Sequence, residues 1–148
     1  MKMLTATALA ACLLLAGPAR ANDGPKAAAT MDGTWYIYSL TIDNKPVPVD
    51  ENLKEIRREV LGDTHTITLK GNRMVLVATI DVTKSPMTLD MLIVEGDGKG
   101  KTYHAIYKLE GDTLTIFRHI DPDRPRPKAF FTEPDSGAFL IVWKRVKS

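Results

Sequence analysis

Cysteine is almost absent from this sequence, since its 148 residues contain a single one, Cys12, in an apolar N-terminal segment. Without a second cysteine the chain cannot form an intramolecular disulfide. Long apolar runs are lacking as well, because no segment after residue 21 approaches the roughly 20 apolar residues of a transmembrane helix. We therefore expect a domain that is stable without disulfides and a chain with no transmembrane segment after its first 21 residues.

Residues 1–21 have the pattern of a secretory signal peptide. Lys2 is followed by an uncharged, largely apolar run over residues 4–16, and Ala19, Arg20 and Ala21 form a small-x-small cleavage site. A retained anchor is the alternative, and so is a lipoprotein in which Cys12 is lipidated, although apolar residues follow that cysteine instead of preceding it. The pattern favours an exported product, periplasmic or secreted, that starts near Asn22.

An excess of positive charge is also missing. Two of the 20 basic residues lie in the signal peptide, so 18 remain against 18 acidic ones. A neutral chain without a basic stripe is a poor partner for nucleic acid. Catalytic motifs are absent too: there is no G-x-S-x-G, no histidine in a triad pattern and no glycine-rich phosphate loop. These absences favour a function without catalysis and without a metal or other cofactor.

What the sequence does contain, after a small and polar lead-in at residues 22–30 that we expect to be flexible, is a series of short β-branched and aromatic runs. Turn residues separate them, as in antiparallel sheets. The runs are residues 34–42, 64–69, 73–82, 87–94, 102–109, 112–120 and 138–146. Seven or eight strands at this spacing predict an all-β domain that closes into a sandwich or barrel.

Two turn regions have a more specific interpretation. Asp43, Asn44, Lys45 and Pro46 form a turn cluster that ends the first strand. Asp50 is a plausible N-cap, and Leu53, Ile56 and Val60 follow at helical spacing, which predicts a short helix up to Gly62 whose second half is equally compatible with a strand.

The dipeptide Gly111-Asp112 predicts a tight hairpin. A two-residue loop pairs residues whose numbers sum to 223. The predicted pairs are Leu109 with Leu114, Tyr107 with Ile116, Ala105 with Arg118, and His104 with His119. The first three pairs share an apolar face with Tyr103, and we expect that face to point inward.

The chain resembles a lipocalin-like domain family of small exported bacterial proteins of unassigned function. Gly33-Thr34-Trp35 is similar to the G-x-W that opens lipocalins, and further resemblance lies in "GTWYIYSLTIDNKPVP", "SPMTLDMLIVEGDGKGKT", "AIYKLEGDTLTI", "RPKAFFT" and "LIVWKRV". The resemblance implies a lipocalin-like (calycin-like) β-barrel over residues 31–148 with a short helix after the first strand. It also implies that Trp35, next to Gly33, closes one barrel end beneath Arg145 or, as the second candidate, Lys144.

Arg118, with Tyr103 and Tyr107, is the strongest candidate for ligand binding. An arginine inside a small barrel must meet a carboxylate or the anionic head of a bound molecule. Fatty-acid carriers use a similar Arg and Tyr arrangement. The alternative is a strand-end position in water with an ion pair to Asp121 or Glu133.

Other polar residues have simpler interpretations. His104 and His119 are too few for a zinc site, to which His65 has no matching spacing, and we expect an exposed cross-strand pair. Asp97 in "EGDGKGK" is expected on a mobile tip, and Asp90 as a structural hydrogen-bond acceptor. The proline-rich residues 121–128 predict a stiff loop at the barrel rim.

These features predict an exported, non-enzymatic protein that binds a small, partly apolar or amphiphilic ligand in the barrel. One alternative is a filled barrel that docks on another exported protein through its outer face or rim, with residues 124–131 as the candidate contact. Another is a hydrolase that uses His104 or His65. The residues expected inside are Met74, Leu76, Ile80, Met87, Leu89, Met91, Tyr107, Phe139 and Ile141.

Overall fold

The computed structural model describes residues 30–131 and 133–148. The strands in these residues are β1 (Gly33–Ile42), β2 (Lys45–Val47), β3 (Arg57–Leu61), β4 (Thr64–Leu69), β5 (Asn72–Asp81), β6 (Met87–Glu95), β7 (Thr102–Glu110), β8 (Thr113–His119) and β9 (Ala138–Arg145), and a helix, α1 (Glu51–Lys54), lies between β2 and β3. The predicted signal peptide and all of the lead-in except Thr30 lie outside the described residues.

The strands form a closed antiparallel barrel, as predicted. Each of β3 to β8 pairs with the next strand along the chain, and β1 pairs with both β3 and β9. Eight strands therefore complete the cylinder, and β2 is an additional edge strand that pairs with β1 alone. No helix among the described residues has the length and apolarity that a membrane crossing requires.

The β7–β8 hairpin has the predicted register. Pairs run from Ala105 and Arg118 to Glu110 and Thr113, and they include Leu109 with Leu114 and Tyr107 with Ile116. The fourth predicted pair, His104 with His119, lies beyond the paired part of the hairpin. The predicted inward face is correct, because Ala105, Tyr107, Leu114 and Ile116 all belong to the main core. Most of the other predicted interior residues also join this core, but Ile80 is 40% exposed.

Two segments form strands, of which the sequence left the first open and did not predict the second. The helix ends at Lys54, and residues 57–61 form β3, because alternating Arg58 and Val60 face inward while their neighbours are exposed. Pro46 does lie in a strand. Asp43 and Asn44 both have positive φ, as a two-residue hairpin turn requires, and β2 is an edge strand, where proline is tolerated.

The end of the barrel next to Gly33 is closed by Trp35, which is fully buried. Its Nε1 donates to the carbonyl of Met31 at 2.8 Å, and the Arg145 guanidinium lies 4.2 Å from the ring centre. Arg145 also contacts Asp112 and the carbonyls of Thr30 and Asp32. Arg145, not Lys144, therefore takes the expected position over the indole.

Gly33 is needed at this end for two reasons. Its φ of +127° is unfavourable for other residues, and a Cβ there would lie 2.9 Å from Nη1 of Arg145. Gly33 thus leaves room for the Arg145 guanidinium, which covers the ring of Trp35.

The long connection after β8 follows the outer wall instead of standing at the rim as predicted. Phe130 packs on a small outer cluster of Ile106, Phe117 and Ala138. Arg126 donates to the carbonyl of Ala105 at 2.7 Å on β7. This part of the barrel wall is therefore covered by the chain itself.

Candidate ligand-binding cavity

The barrel interior contains a cavity of about 300 Å³. Most of its lining is apolar and comes from inward-facing positions of the strands. These residues are Ile37, Ile56, Ile67, Met74, Leu76, Met91, Ile93, Ile116, Phe139, Ile141 and Trp143, joined by Arg58, Asp97, Gly98, Lys101, Tyr103 and Arg118. The volume is at the lower end of the range for small-molecule pockets, and a few polar groups in an apolar lining are typical of such sites.

Arg118 lies in this cavity and is brought together with Tyr103, as predicted from the hairpin. Its guanidinium carbon is 4.1 Å from the Tyr103 ring centre and 4.8 Å from that of Phe139. Nη1 donates to the carbonyl of His119 at 2.8 Å. Between them the two rings and the carbonyl position the guanidinium within the cavity.

The alternative ion pair of Arg118 is not formed. Neither Asp121 nor Glu133, nor any other carboxylate in the described part of the chain, lies within salt-bridge distance of the guanidinium. Burial lowers the pKa of Arg118 from its ordinary value. The side chain is therefore a partly desolvated cation that lacks a carboxylate partner in the described structure.

Tyr107 was wrongly grouped with these residues. It is buried in the core, opposite Met87 and Ile116, and does not line the cavity. Burial also raises the pKa of its hydroxyl. Arg118 is paired with Ala105 on β7, and Tyr107 lies two residues beyond Ala105 toward the closed end. Tyr107 therefore packs among the core residues and not beside Arg118.

Arg58 is a second cation in the cavity, and the sequence reasoning missed it. It is 2% exposed, and its guanidinium carbon is 5.6 Å from the centre of the Trp143 ring. Its Nη2 contacts Nδ1 of His65 and lies 3.7 Å from Sδ of Met91. The alternation of Arg58 with Val60 was the available signal, but the sequence left helix and strand equally open for this segment, so the face of Arg58 was not predicted.

The contact with His65 defines the state of that histidine. His65 is fully buried, and burial, followed by the charge of Arg58, lowers its pKa to about 3. The ring is therefore neutral at pH 7. Because a guanidinium can only donate, Nδ1 is the acceptor and the proton is on Nε2.

Several buried donors around Arg58 are unsatisfied. Nε of Arg58, Nε2 of His65 and Nε1 of Trp143 have no hydrogen-bond partner. An unpaired buried donor costs about 1–3 kcal/mol. Arg58 and Trp143 both line the cavity, and their unsatisfied nitrogens are themselves fully buried.

The glycine-rich connection between β6 and β7 borders the cavity, with Asp97, Gly98 and Lys101 in the lining. Backbone hydrogen bonds close the base of this connection. The amide of Gly100 donates to the carbonyl of Ile93 at 2.8 Å, and the amide of Ile93 donates to the carbonyl of Lys101 at 2.9 Å. This connection therefore forms an ordered part of the open end.

The remaining predicted polar residues lie on the outer wall. Asp90 accepts from Nδ1 of His104 at 2.6 Å and from Nη2 of Arg126 at 2.7 Å. Burial acts to raise the pKa of Asp90, but these two hydrogen bonds outweigh it and the pKa lies below its ordinary value. Asp90 is thus a hydrogen-bond acceptor, as expected, and it fixes the β8–β9 connection.

The histidines are not gathered into one site. His104 is on the outer wall, His65 is inside the barrel, and the backbone carbonyl of His119 holds Arg118. Within residues 30–131 and 133–148, no group of three or more His, Cys, Asp or Glu side chains is arranged to hold a metal ion. In the same residues, no Ser or Thr hydroxyl is hydrogen-bonded to His104 or His65.

Comparison with known proteins adds no further assignment. No protein-family model, curated protein or solved structure matches the chain, and the resemblance to a lipocalin-like family therefore stays a prediction.

Proposed function

We propose that this protein is an exported, non-enzymatic binding protein that holds a small anionic amphiphile inside its barrel. The observation that supports this proposal is a cavity of about 300 Å³ that contains two arginines, Arg58 and Arg118, neither in an ion pair with a carboxylate of the described residues. A desolvated cation without a counter-charge is costly, and an anionic ligand supplies that charge.

The apolar lining accounts for the other half of such a ligand. Leu76, Ile116 and Ile141 line the same cavity as the two arginines and offer no hydrogen-bonding side chain. Burial of a hydrocarbon tail contributes about 0.8 kcal/mol per methylene. A short chain with one acidic end therefore matches the cavity in size, polarity and charge.

The alternative of a filled barrel that docks through residues 124–131 has less support. The interior is not filled, and this segment is engaged with its own barrel, since Arg126 and Phe130 contact the wall. The proposal of export rests on the sequence of residues 1–21 alone. The proposal of a non-enzymatic role rests on the absence of catalytic motifs from the sequence.

Calorimetric titration with decanoate and with decanol tests the proposal. Decanoate should bind more tightly than decanol, and Arg118→Leu should weaken decanoate binding about tenfold or more, the value of one hydrogen bond to a charged group. The thermal midpoint should hardly change, because removal of a buried, uncompensated cation offsets the lost contacts with Tyr103, Phe139 and the carbonyl of His119.

Arg124→Leu is the matched control, since Arg124 is exposed on the outside of the barrel. Equal affinity for the two probes, or unchanged decanoate affinity in Arg118→Leu, would contradict an anionic ligand. Native mass spectrometry of the protein purified from its own host then identifies the small molecule that remains bound.

A further inference from the structure

The cavity has a polar region at its closed end that a hydrocarbon tail does not require. Arg58 is paired with Trp35 in the β1–β3 register, and Trp143 is paired with Leu114 at the start of β8. Both lie next to the closed end, and each is at most 3% exposed. Each also presents a nitrogen without a hydrogen-bond partner, Nε in Arg58 and Nε1 in Trp143. A purely apolar tail would leave both donors unsatisfied.

Arg118 lies toward the other end of the cavity. It is paired with Phe139, which in turn is paired with Ile42 at the end of β1. The cavity therefore carries a guanidinium near its closed end and another near its mouth. The charge of Arg118 contributes to the lowered pKa of Arg58, about 9, after the larger effect of burial. Because arginine stays protonated at pH 7, the cavity holds two like charges.

The surrounding side chains do not neutralise this pair. His65 is neutral. Asp97 is the carboxylate in the lining, but it is exposed at the open end beside Lys101 and is in salt-bridge distance of neither guanidinium. A ligand with one negative charge would therefore leave one buried guanidinium uncompensated.

We propose that the ligand is dianionic, with acidic oxygens that reach Arg58 at the closed end as well as Arg118 near the mouth. This inference rests on the proposed function and narrows it. A chain with an acid at each end matches two guanidinium groups at opposite ends of the cavity, whereas a single head with two negative charges is the alternative that the test distinguishes. In either form the second negative charge would compensate Arg58, which has no carboxylate partner in the described residues.

The test uses three probes of equal chain length with the wild-type protein at pH 7.5. Decanoate has one charge, decanedioate has one at each end, and decyl phosphate has close to two on one head. We expect decanedioate or decyl phosphate to bind at least about tenfold more tightly than decanoate, because one more charged hydrogen-bonded contact is made. The tighter of the two identifies the form of the ligand.

Arg58→Met should remove this preference, and Arg57→Met is the matched control because Arg57 precedes it on the same strand and is exposed. The dianion should fall to about the affinity of decanoate in Arg58→Met and stay unchanged in Arg57→Met. A preference that survives Arg58→Met would overturn the inference.

The wild-type comparison does not depend on how the variants fold. If decanoate binds better than decanol but neither dianion binds better than decanoate, the dianionic ligand is refuted and the proposed function stands. If no acidic probe binds better than decanol, the proposed function fails, and the inference fails with it.

Discussion

Acidification should destabilise this protein through His65. Because the ring is fully buried and contacts Arg58, its pKa falls from 6.5 in the unfolded chain to about 3 in the folded one. Between these values the unfolded state binds a proton that the native state does not, so the free energy of unfolding decreases as the pH falls. From pH 7.5 to pH 5 the loss attributable to His65 is about 2 kcal/mol.

Urea unfolding at the two pH values measures this effect. A loss of about 2 kcal/mol lowers the midpoint by about 1 M for a domain of this size. In His65→Gln the side chain keeps an acceptor for Arg58 but cannot titrate, so the difference between pH 7.5 and pH 5 should be smaller than in the wild type by about 2 kcal/mol.

His104→Gln is the control, because it removes an imidazole that is partly exposed on the outer wall. The lowered pKa of Asp90 does not interfere, because the stability it contributes is lost only as the pH falls below about 3.8, outside this window. Equal pH dependence in the wild type and His65→Gln would refute the assignment of a buried, neutral ring.

Two further predictions concern the closed end and the outer wall. Trp35→Ala should lower the free energy of unfolding by about 3–5 kcal/mol in urea titrations, because it empties a fully buried position, and a loss below about 1 kcal/mol would show that the indole does not close the barrel. Arg126→Ala should speed amide hydrogen exchange in the connection that it fastens to Asp90 and Ala105, without changing decanoate affinity. Unchanged exchange there would mean that Arg126 does not hold the connection.

Local sequence signals were sufficient to predict the strands and the register of one hairpin of the barrel. A two-residue loop at Gly111 and Asp112 determines the register of β7 and β8, and that register places Arg118 and Tyr103 on the inward face. The prediction succeeded because strand alternation and turn length are properties of neighbouring residues.

The features that the sequence did not reveal depend on residues far apart in the chain or on competing patterns. The inward position of Arg58 was not predicted because Leu53, Ile56 and Val60 fit one helix as well as they fit a helix followed by a strand. Arg126 and Asp90 are 36 residues apart, and no local rule brings them together. Tyr107 was placed on the correct face, but how far along the barrel the cavity extends depends on how all eight strands pack.

The pairing of the first and last strands has a practical consequence for anyone who wishes to tether this protein. The Arg145 guanidinium touches the carbonyl of Thr30, and the amide of Val146 donates to that of Thr34, so both ends of the domain emerge beside Trp35. A linker joined directly to Thr30 or to Val146 would therefore leave the domain on the sealed side, away from the opening beside Asp97 and Lys101.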